Sequence, residues 1–429
     1  MTDHEASDKQ TTAERLEGRV GLAWILVVAF CLRLGAAYYW ESRIAPDGFL
    51  FGDSESYWSL ARAVAQGEPY EYGPDGPKVF RTPGYPVLLA PLFLAFGDQP
   101  PVMWARAQAA LLGTLAVAGV WLLARRLFGR RAAWWAALAT AVYPGLIALS
   151  VVVLSEPPFC ALLPLQLWLW TLAWQSETRR RQLLPALATG LLGAAMVLIR
   201  PSWLLFMPFA VGLGFVFGRP RGRHAWVGAT VMLGLIVGMT PWWIRNARVT
   251  GHFVPTTLQV GASLYDGWSP MATGASDMTF VPEFEAAERR AEADGTADMS
   301  ETFEYRLDRR IRDAAVAWAR AHPAEVVRLA GVKFVRIWNV WPNEQAFSRP
   351  LVRSVVTVSY VPLLVLGLIG AYRAFGQGWP YVLCFLPAVY FTLLHMIFIG
   401  SIRYRDPAML GMIVLAAGVL VSWRSEEKK

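Results

Sequence analysis

A chain of 429 residues in which 55% are hydrophobic, only 17% are charged and 20 are Trp is too apolar for an ordinary soluble enzyme. The balance of 40 Lys+Arg against 32 Asp+Glu gives +8, but the basic residues cluster at the ends of apolar runs, as orientation signals do, so nucleic-acid binding is not expected. Cys31, Cys160 and Cys384 all fall inside apolar stretches without CxxC spacing, which argues against a disulfide framework or a thiolate zinc site.

In chain order, residues 1–18 are polar, lack aromatic residues and read as an unordered cytoplasmic tail. The apolar run 19–40 leads into a polar loop rather than a small-residue cleavage site, so it reads as a retained first span. Further apolar runs occupy 100–124, 132–153, 157–174, 183–199, 201–217, 225–244, 351–372, 379–399 and 406–423. An all-α polytopic bundle of roughly ten transmembrane helices is expected. Its modules are an N-terminal transmembrane catalytic module at 19–245, an outer segment at 246–350, C-terminal spans at 351–424 and a short cytoplasmic tail at 425–429.

Arg125, Arg126, Arg130 and Arg131, then Arg179, Arg180 and Arg181, then Arg219, Arg221 and Arg223 mark cytoplasmic loops. Residues 41–99, the Ser155–Glu156 corner, the Arg200–Pro201 corner, the segment 246–350 and the Ser401–Arg405 corner then share the opposite, outer face. In the first outer loop, Tyr57, Leu60, Ala61 and Val64 recur at i, i+3, i+4, i+7, predicting a short surface helix ended by Gly67. Tyr85 to Phe96 is too short to span and follows the rigid turn Thr82-Pro83-Gly84-Tyr85-Pro86, so it reads as an interfacial or re-entrant helix. Pro282 to Arg320 is charged and Ala-rich, and Asp298 with Glu301 has the spacing of a helix-start box.

Phosphate-loop, dinucleotide-binding, zinc-protease and serine-hydrolase signatures are absent and the five histidines are scattered, leaving carboxylates and arginines to carry any chemistry. Gly52-Asp53-Ser54-Glu55-Ser56-Tyr57-Trp58 puts two acids at the start of the surface helix, where a partly desolvated carboxylate can serve as a general base. Asp53 also stands where a helix N-cap belongs, a role that needs only local hydrogen bonds. Glu156, before Pro157-Pro158, is a second outer-face acid, readable either as functional or as a solvated helix start. Arg81, Arg200, Arg245, Arg403 and Arg405, with Lys78 beside them, concentrate positive charge on that face, and guanidinium groups suit a lipid phosphate. Trp58, Tyr85 and Trp268 are candidates for stacking on a sugar.

Taken together, Asp53…Tyr57 with Leu60-Ala61 and Gly67, Arg81-Thr82-Pro83-Gly84-Tyr85-Pro86, Ser155-Glu156 and Ile199-Arg200-Pro201 make a series. It continues through Pro241-Trp242-Trp243-Ile244-Arg245-Asn246, Gly261 to Gly267, His322-Pro323 and Arg403-Tyr404-Arg405. In this order the motifs resemble the GT-C-fold integral-membrane glycosyltransferases, in particular bacterial relatives of protein O-mannosyltransferases and of lipid A aminoarabinose transferase. The resemblance implies a GT-C-like bundle that moves a sugar from a polyprenyl-phosphate donor, with inversion, on the non-cytoplasmic face. It further implies a first-loop acid as base, here Asp53 or, because Ser54 separates the two acids, Glu55. Glu156 corresponds to a second acid near the site. Lys78, Arg81, Arg403 and Arg405 correspond to phosphate contacts, with Tyr57, Tyr85, Arg200, Arg245 and Tyr404 lining the substrate. A multi-pass protein of the cell inner membrane is expected, with the donor, an acceptor of unspecified kind and the bilayer as partners. No cofactor and no metal are called for. A transporter or flippase of a lipid-linked intermediate is the rival reading, and it requires charges within spans and two similar halves.

Overall fold

The computed structural model describes residues 3–43, 48–49, 51–73, 76–341 and 349–426, with the main chain alone at 3–19 and 423–426. Residues 427–429, within the expected second tail, lie outside the described residues. Among those described there is no strand. Helices fit the composition, since inside hydrocarbon each segment must pair its own N–H and C=O groups.

After α1 (Asp3–Arg43), the bundle runs to and fro through α4 (Val102–Phe128), α5 (Arg130–Val142) with α6 (Pro144–Ala148), α7 (Glu156–Gln175) and α8 (Arg179–Ile199). It continues with α9 (Phe206–Phe217), α10 (Arg221–Thr250), α15 (Pro350–Gln377), α16 (Trp379–Ile397) and α17 (Asp406–Glu426). The backbone of α1 takes in residues that composition alone leaves unordered, because extending an anchored helix avoids a new nucleation step.

The apolar runs are largely helical, that at 132–153 being interrupted at Tyr143 and ending outside helix, but among the described residues fewer than ten helices have the length and composition of a crossing. Among the described residues six are long and apolar enough, namely α1 from Val20, α4, α8, α10, α15 and α16, or seven if α5 and the stretch Pro144–Val151, bent by 50°, form one span. Pro201–Phe217 and Asp406–Ser422 are shorter, and α7 carries Glu156, Gln166 and Gln175 within its apolar sequence. Burial explains how α17 is accommodated: Ala408, Met409, Leu410, Met412, Ile413, Val414 and Leu415 are all enclosed, as expected of a helix apolar on every side. Lipid-facing side chains belong instead to the outside of the bundle, such as Trp24 and Val27 on α1 and Leu351, Val358 and Tyr372 on α15. Where α8 meets α10 the backbones nearly touch, since a Cβ on Gly190 would lie 2.0 Å from the Val231 carbonyl oxygen. Small residues at such crossings let dispersion contacts replace the hydrophobic driving force that lipid does not supply.

The first loop holds α2 (Gly52–Gln66), ended by Gly67 in the left-handed region at φ 69°, and α3 (Gly84–Phe96). As the apolar spacing predicts, Tyr57, Leu60 and Ala61 form the buried face of α2. Past the bundle's first half lie α11 (Val260–Gly267), α12 (Val281–Ala293), α13 (Phe303–Ala321) and α14 (Pro323–Trp338). The charged stretch 282–320 is therefore two helices rather than one. Its break contains Gly295 at φ 66°, and the cap of α13 is Thr302, whose hydroxyl accepts the Tyr305 N–H, while Asp298 turns back on Ser300. Charge in this segment is internally paired: Arg306 is buried against Glu288 at 2.7 Å and also meets Glu292.

Among the described residues one buried charge lies near the middle of a candidate span. Arg33 of α1 is fully buried and donates to the carbonyls of Thr140 (3.0 Å) and Ala141 (2.9 Å), the oxygens that α5 leaves without helical partners where it breaks at Tyr143. Replacing it by Leu strands those acceptors in a medium without water. The Arg33→Leu chain is expected to lose about 1–3 kcal/mol, visible as a lower melting temperature in detergent; an unchanged value would mean that other contacts hold the break.

Candidate active site

The α2 helix starts one residue before Asp53, with Phe51 at the N-cap and no side-chain cap bond. The Asp53 carboxylate is thus not used as a cap and turns to cations instead. Arg81 Nη2 donates to Asp53 Oδ1 at 2.7 Å, while its Nε reaches Ser56 Oγ at 3.0 Å and its Nη1 reaches Gln259 Oε1 at 2.9 Å. Its guanidinium also lies 5.0 Å from the centre of the Tyr57 ring. Every fork of Arg81 is therefore occupied, and its position is tightly defined.

The far end of the chain supplies the second cation. A 3-10 turn at Ile402–Tyr404 presents Arg403, whose Nη2 lies 3.6 Å from Asp53 Oδ2 and whose Nε lies 3.4 Å from Glu156 Oε1. Arg200 Nη1 approaches that same Glu156 oxygen at 3.0 Å. Charges consequently alternate along Arg81, Asp53, Arg403, Glu156 and Arg200. The row passes from a half-exposed Asp53 side chain, 42% accessible, to a Glu156 side chain at 2%. Gly84 makes the adjoining close approach of α3 to the end of α8 possible, since a Cβ there would meet the Leu198 main chain at 2.6 Å.

Aromatic rings hold the arginines that would otherwise repel. Both Arg200 and Arg403 lie over Tyr404, at 5.2 and 5.0 Å from its centre, and Arg403 Nη2 donates to the Tyr404 hydroxyl at 3.1 Å. His395 stacks against Tyr404 with centroids 4.0 Å apart. Phe51 lies 5.1 Å from the Arg403 guanidinium. Two buried donors, Arg200 Nε and Arg403 Nη1, have no hydrogen-bond partner among the described residues.

Other residues singled out from the sequence stand apart. Glu55 is exposed and makes no ion pair among the described residues. Lys78 is half-exposed and meets Glu71 at 3.8 Å, while its main-chain N–H donates to Glu304. Tyr85 is fully buried edge-on to Tyr57, 5.1 Å away, so it forms floor rather than a face open to a sugar. Trp58 likewise packs edge-on to Phe49 and Phe93. Arg245 lies over Tyr70 and Trp242 and donates to the Tyr70 carbonyl at 3.0 Å, placing it behind Arg81, whose own carbonyl accepts from Tyr70. Arg405 follows Arg403 by two residues in a turn of three residues, so it projects elsewhere. It is buried over Tyr360 and donates to the carbonyls of Ile337 and Asn339. Ser56, Gln259, Phe51, Ser155 (3.4 Å from Arg200 Nη1) and His395 were not foreseen. Ser56 and Ser155 lie within motifs singled out from the sequence, though no role was given to them, whereas Gln259 and His395 carry no local signal.

No group of three or more His, Cys, Asp or Glu side chains able to hold a metal ion occurs among the described residues. Burial acts to raise the Asp53 pKa, but the charges of Arg81 and Arg403 outweigh it and hold the carboxyl below the ordinary value. Asp53 is therefore ionised at neutral pH. Its contribution to stability is complete above the ordinary carboxylate range and is lost as pH falls through the depressed value. Arg403→Met should move the Asp53 titration upward, measured by the pH dependence of carbodiimide labelling of that residue; an unmoved titration would assign its depression to Arg81 alone.

Comparison with known proteins follows this geometry. The model of the family described as dolichyl-phosphate-mannose-protein mannosyltransferase matches residues 81–244. Among solved structures, the oligosaccharyltransferase AglB of Archaeoglobus fulgidus, in complex with an inhibitory peptide and a dolichol-phosphate, is 16% identical with a TM-score of 0.58, over 96% of this chain and 52% of that one. The same organism's oligosaccharyltransferase tethered to an acceptor peptide containing the NVT sequon is 16% identical with a TM-score of 0.59, over 94% and 50%. ArnT from Cupriavidus metallidurans bound to undecaprenyl phosphate is 16% identical with a TM-score of 0.46, over 95% and 78%. No curated protein sequence matches the chain. The chain spans about half the length of the archaeal structures it matches. It is thus a multi-pass membrane protein that shares its fold, of the GT-C type, with the archaeal oligosaccharyltransferase structures, and its residues 81–244 match the family model described as dolichyl-phosphate-mannose-protein mannosyltransferase.

Proposed function

We propose that this chain transfers a sugar from a polyprenyl-phosphate donor to an acceptor on the non-cytoplasmic face of the cell inner membrane, with inversion, and that Asp53 is the general base. The observation that carries the reading is the alternating row of Arg81, Asp53, Arg403, Glu156 and Arg200 at one end of an apolar bundle. An anionic leaving group needs donors fixed where its charge develops, and a nucleophile needs an ionised acceptor for its proton. Both occur here within one set of contacts. The archaeal structure that holds a dolichol-phosphate adds support for a lipid-linked donor, and the one tethered to an acceptor peptide supports a transfer reaction.

In the proposed reaction the acceptor O–H or N–H gives its proton to Asp53 as the acceptor atom bonds to the anomeric carbon. The bond from that carbon to the phosphate oxygen breaks, and its electron pair leaves with the polyprenyl phosphate. The partner-free Arg200 Nε and Arg403 Nη1 are the donors available to that phosphate. As Arg403 turns toward the phosphate, its hold on Asp53 weakens and the carboxylate becomes a better base. Glu156, buried between two guanidinium groups, fixes both of them. The transporter reading gains nothing from Arg33, because that mid-span charge is engaged by main-chain carbonyls.

The test is turnover of polyprenyl-phosphate-linked sugar by the purified chain in nanodiscs, alongside mass analysis of the lipid-linked sugars that accumulate in cells lacking it. Asp53→Asn, nearly the same shape, should retain the fold with a modestly lower melting temperature, since the pairing with Arg81 and Arg403 is weakened, while lowering transfer about 10²–10⁴-fold. Wild-type turnover in that variant would remove the base from Asp53. Lipid translocation without any new glycosidic bond would remove the transferase reading altogether.

A further inference from the structure

We propose that Lys333 is a positioning residue for Arg403: an amine clasp on α14 that ties the ends of α11 and α16 together and so sets where the segment 397–405 presents its guanidinium to Asp53 and Glu156. The proposal rests on the reading of Arg403 as part of the transfer site.

Lys333 belongs to the buried stripe of α14, with Leu329 one turn before it and Ile337 one turn after. It is fully buried, and its Nζ donates to the carbonyls of Gly267 (2.8 Å) and Ile397 (2.7 Å). Those are the last residues of α11 and α16, so two helix ends, each with partial negative charge, converge on one amine. The contact has no room for more: a Cβ on Gly267 would lie 2.5 Å from the Phe398 oxygen and 3.1 Å from Lys333 Nζ. One turn along, Arg336 Nε donates to the Gly400 carbonyl at 3.1 Å, and Gly400 N–H donates to the Gly274 carbonyl at 2.9 Å. Arg405 then reaches back to the carbonyls of Ile337 and Asn339. The segment bearing Arg403 is therefore gripped by α14 on both sides, and Lys333 begins the grip.

The charged groups around the amine are few. On α11 the facing carboxylate is Asp266, which itself accepts from Ser276 Oγ and from the Asp277 N–H, both at 2.8 Å. On α16 only main-chain oxygens face it, and His395 is turned to the Ile399 carbonyl and Tyr404. On its own helix Arg336 points to Gly400. Burial pushes the Lys333 ammonium down to about 8, with Asp266 opposing, from an ordinary value of 10.5. Opening the clasp returns the amine to water, where it holds its proton more tightly. Closure is consequently weakest below pH 8, where a charge must be buried, and gains as pH rises from 8 toward 10.5.

Hydrogen exchange of the full chain in nanodiscs, read by mass spectrometry and corrected for intrinsic rates, tests this without turnover. Protection of the 397–405 amides should rise about tenfold between about pH 7 and 9 in the wild type. Lys333→Met should abolish that rise. Asp266→Asn, which keeps the lysine and its two acceptors, should lower protection at about pH 7 by roughly three- to tenfold and rejoin the wild type near pH 9.5. In a donor-turnover assay at about pH 7, Asp266→Asn should raise KM by a similar factor with kcat within about twofold. A flat wild-type profile, a rise that survives Lys333→Met, or an Asp266→Asn chain that follows the wild type in exchange and KM would each overturn the clasp. Absence of sugar transfer by the wild type would instead count against the proposed function, and the exchange profile would still decide the role of Lys333.

Discussion

Arg403 touches two carboxylates that belong to distant parts of the chain, Asp53 in the first loop and Glu156 at the head of α7. Without that cation each acid would keep a single guanidinium, Arg81 for Asp53 and Arg200 for Glu156, and the link between the first loop and the head of α7 would be lost. With Arg81 and Arg200 outside them, each acid has a guanidinium on either side. Opposite charges interleaved in this way can be drawn out of water together, whereas any one alone could not. The loop helices, the α8–α9 corner and the C-terminal turn are thus tied through electrostatics as much as through packing.

Support for the row is layered. Tyr404 carries the two inner arginines on its ring and is itself backed by His395. Glu304 of α13 accepts the main-chain N–H groups of Lys78 and Val79, and the Val79 carbonyl accepts from Leu258, so the segment between α10 and α15 docks the stretch that leads into Arg81. Gln259, on that same segment, completes the Arg81 fork. The helices α11 to α14 therefore act as a frame for the first loop.

Much of this was legible in the amino-acid order, and the reason is cost. A charged residue bordering an apolar run needs a partner, so Asp53, Arg81, Glu156, Arg200 and Arg403 announced themselves by their setting. Helix positions were equally legible from apolar spacing, as with Tyr57, Leu60 and Ala61. Direction of projection was not: Arg405 shares the neighbour Tyr404 with Arg403 but faces Tyr360. Uncharged contributors such as Gln259 and Ser56 acquire their role only when segments meet. Lys333 left one trace, a lysine within the apolar stripe Leu329–Lys333–Ile337, where a solvent-facing residue has no place. Span number is harder to read, because enclosed helices such as α17 are as apolar as lipid-facing ones.

The grip of Arg33 on the broken end of α5 bears on how the bundle is made. During synthesis α1 enters the bilayer before α5 exists, so the guanidinium is already waiting at the depth where two main-chain oxygens will emerge. The first helix thereby serves its later neighbour as a built-in escort, shielding a kink that hydrocarbon alone would not tolerate. Any rearrangement that detached α1 would expose both the cation and the kink at once, which makes this pair of segments a unit of assembly.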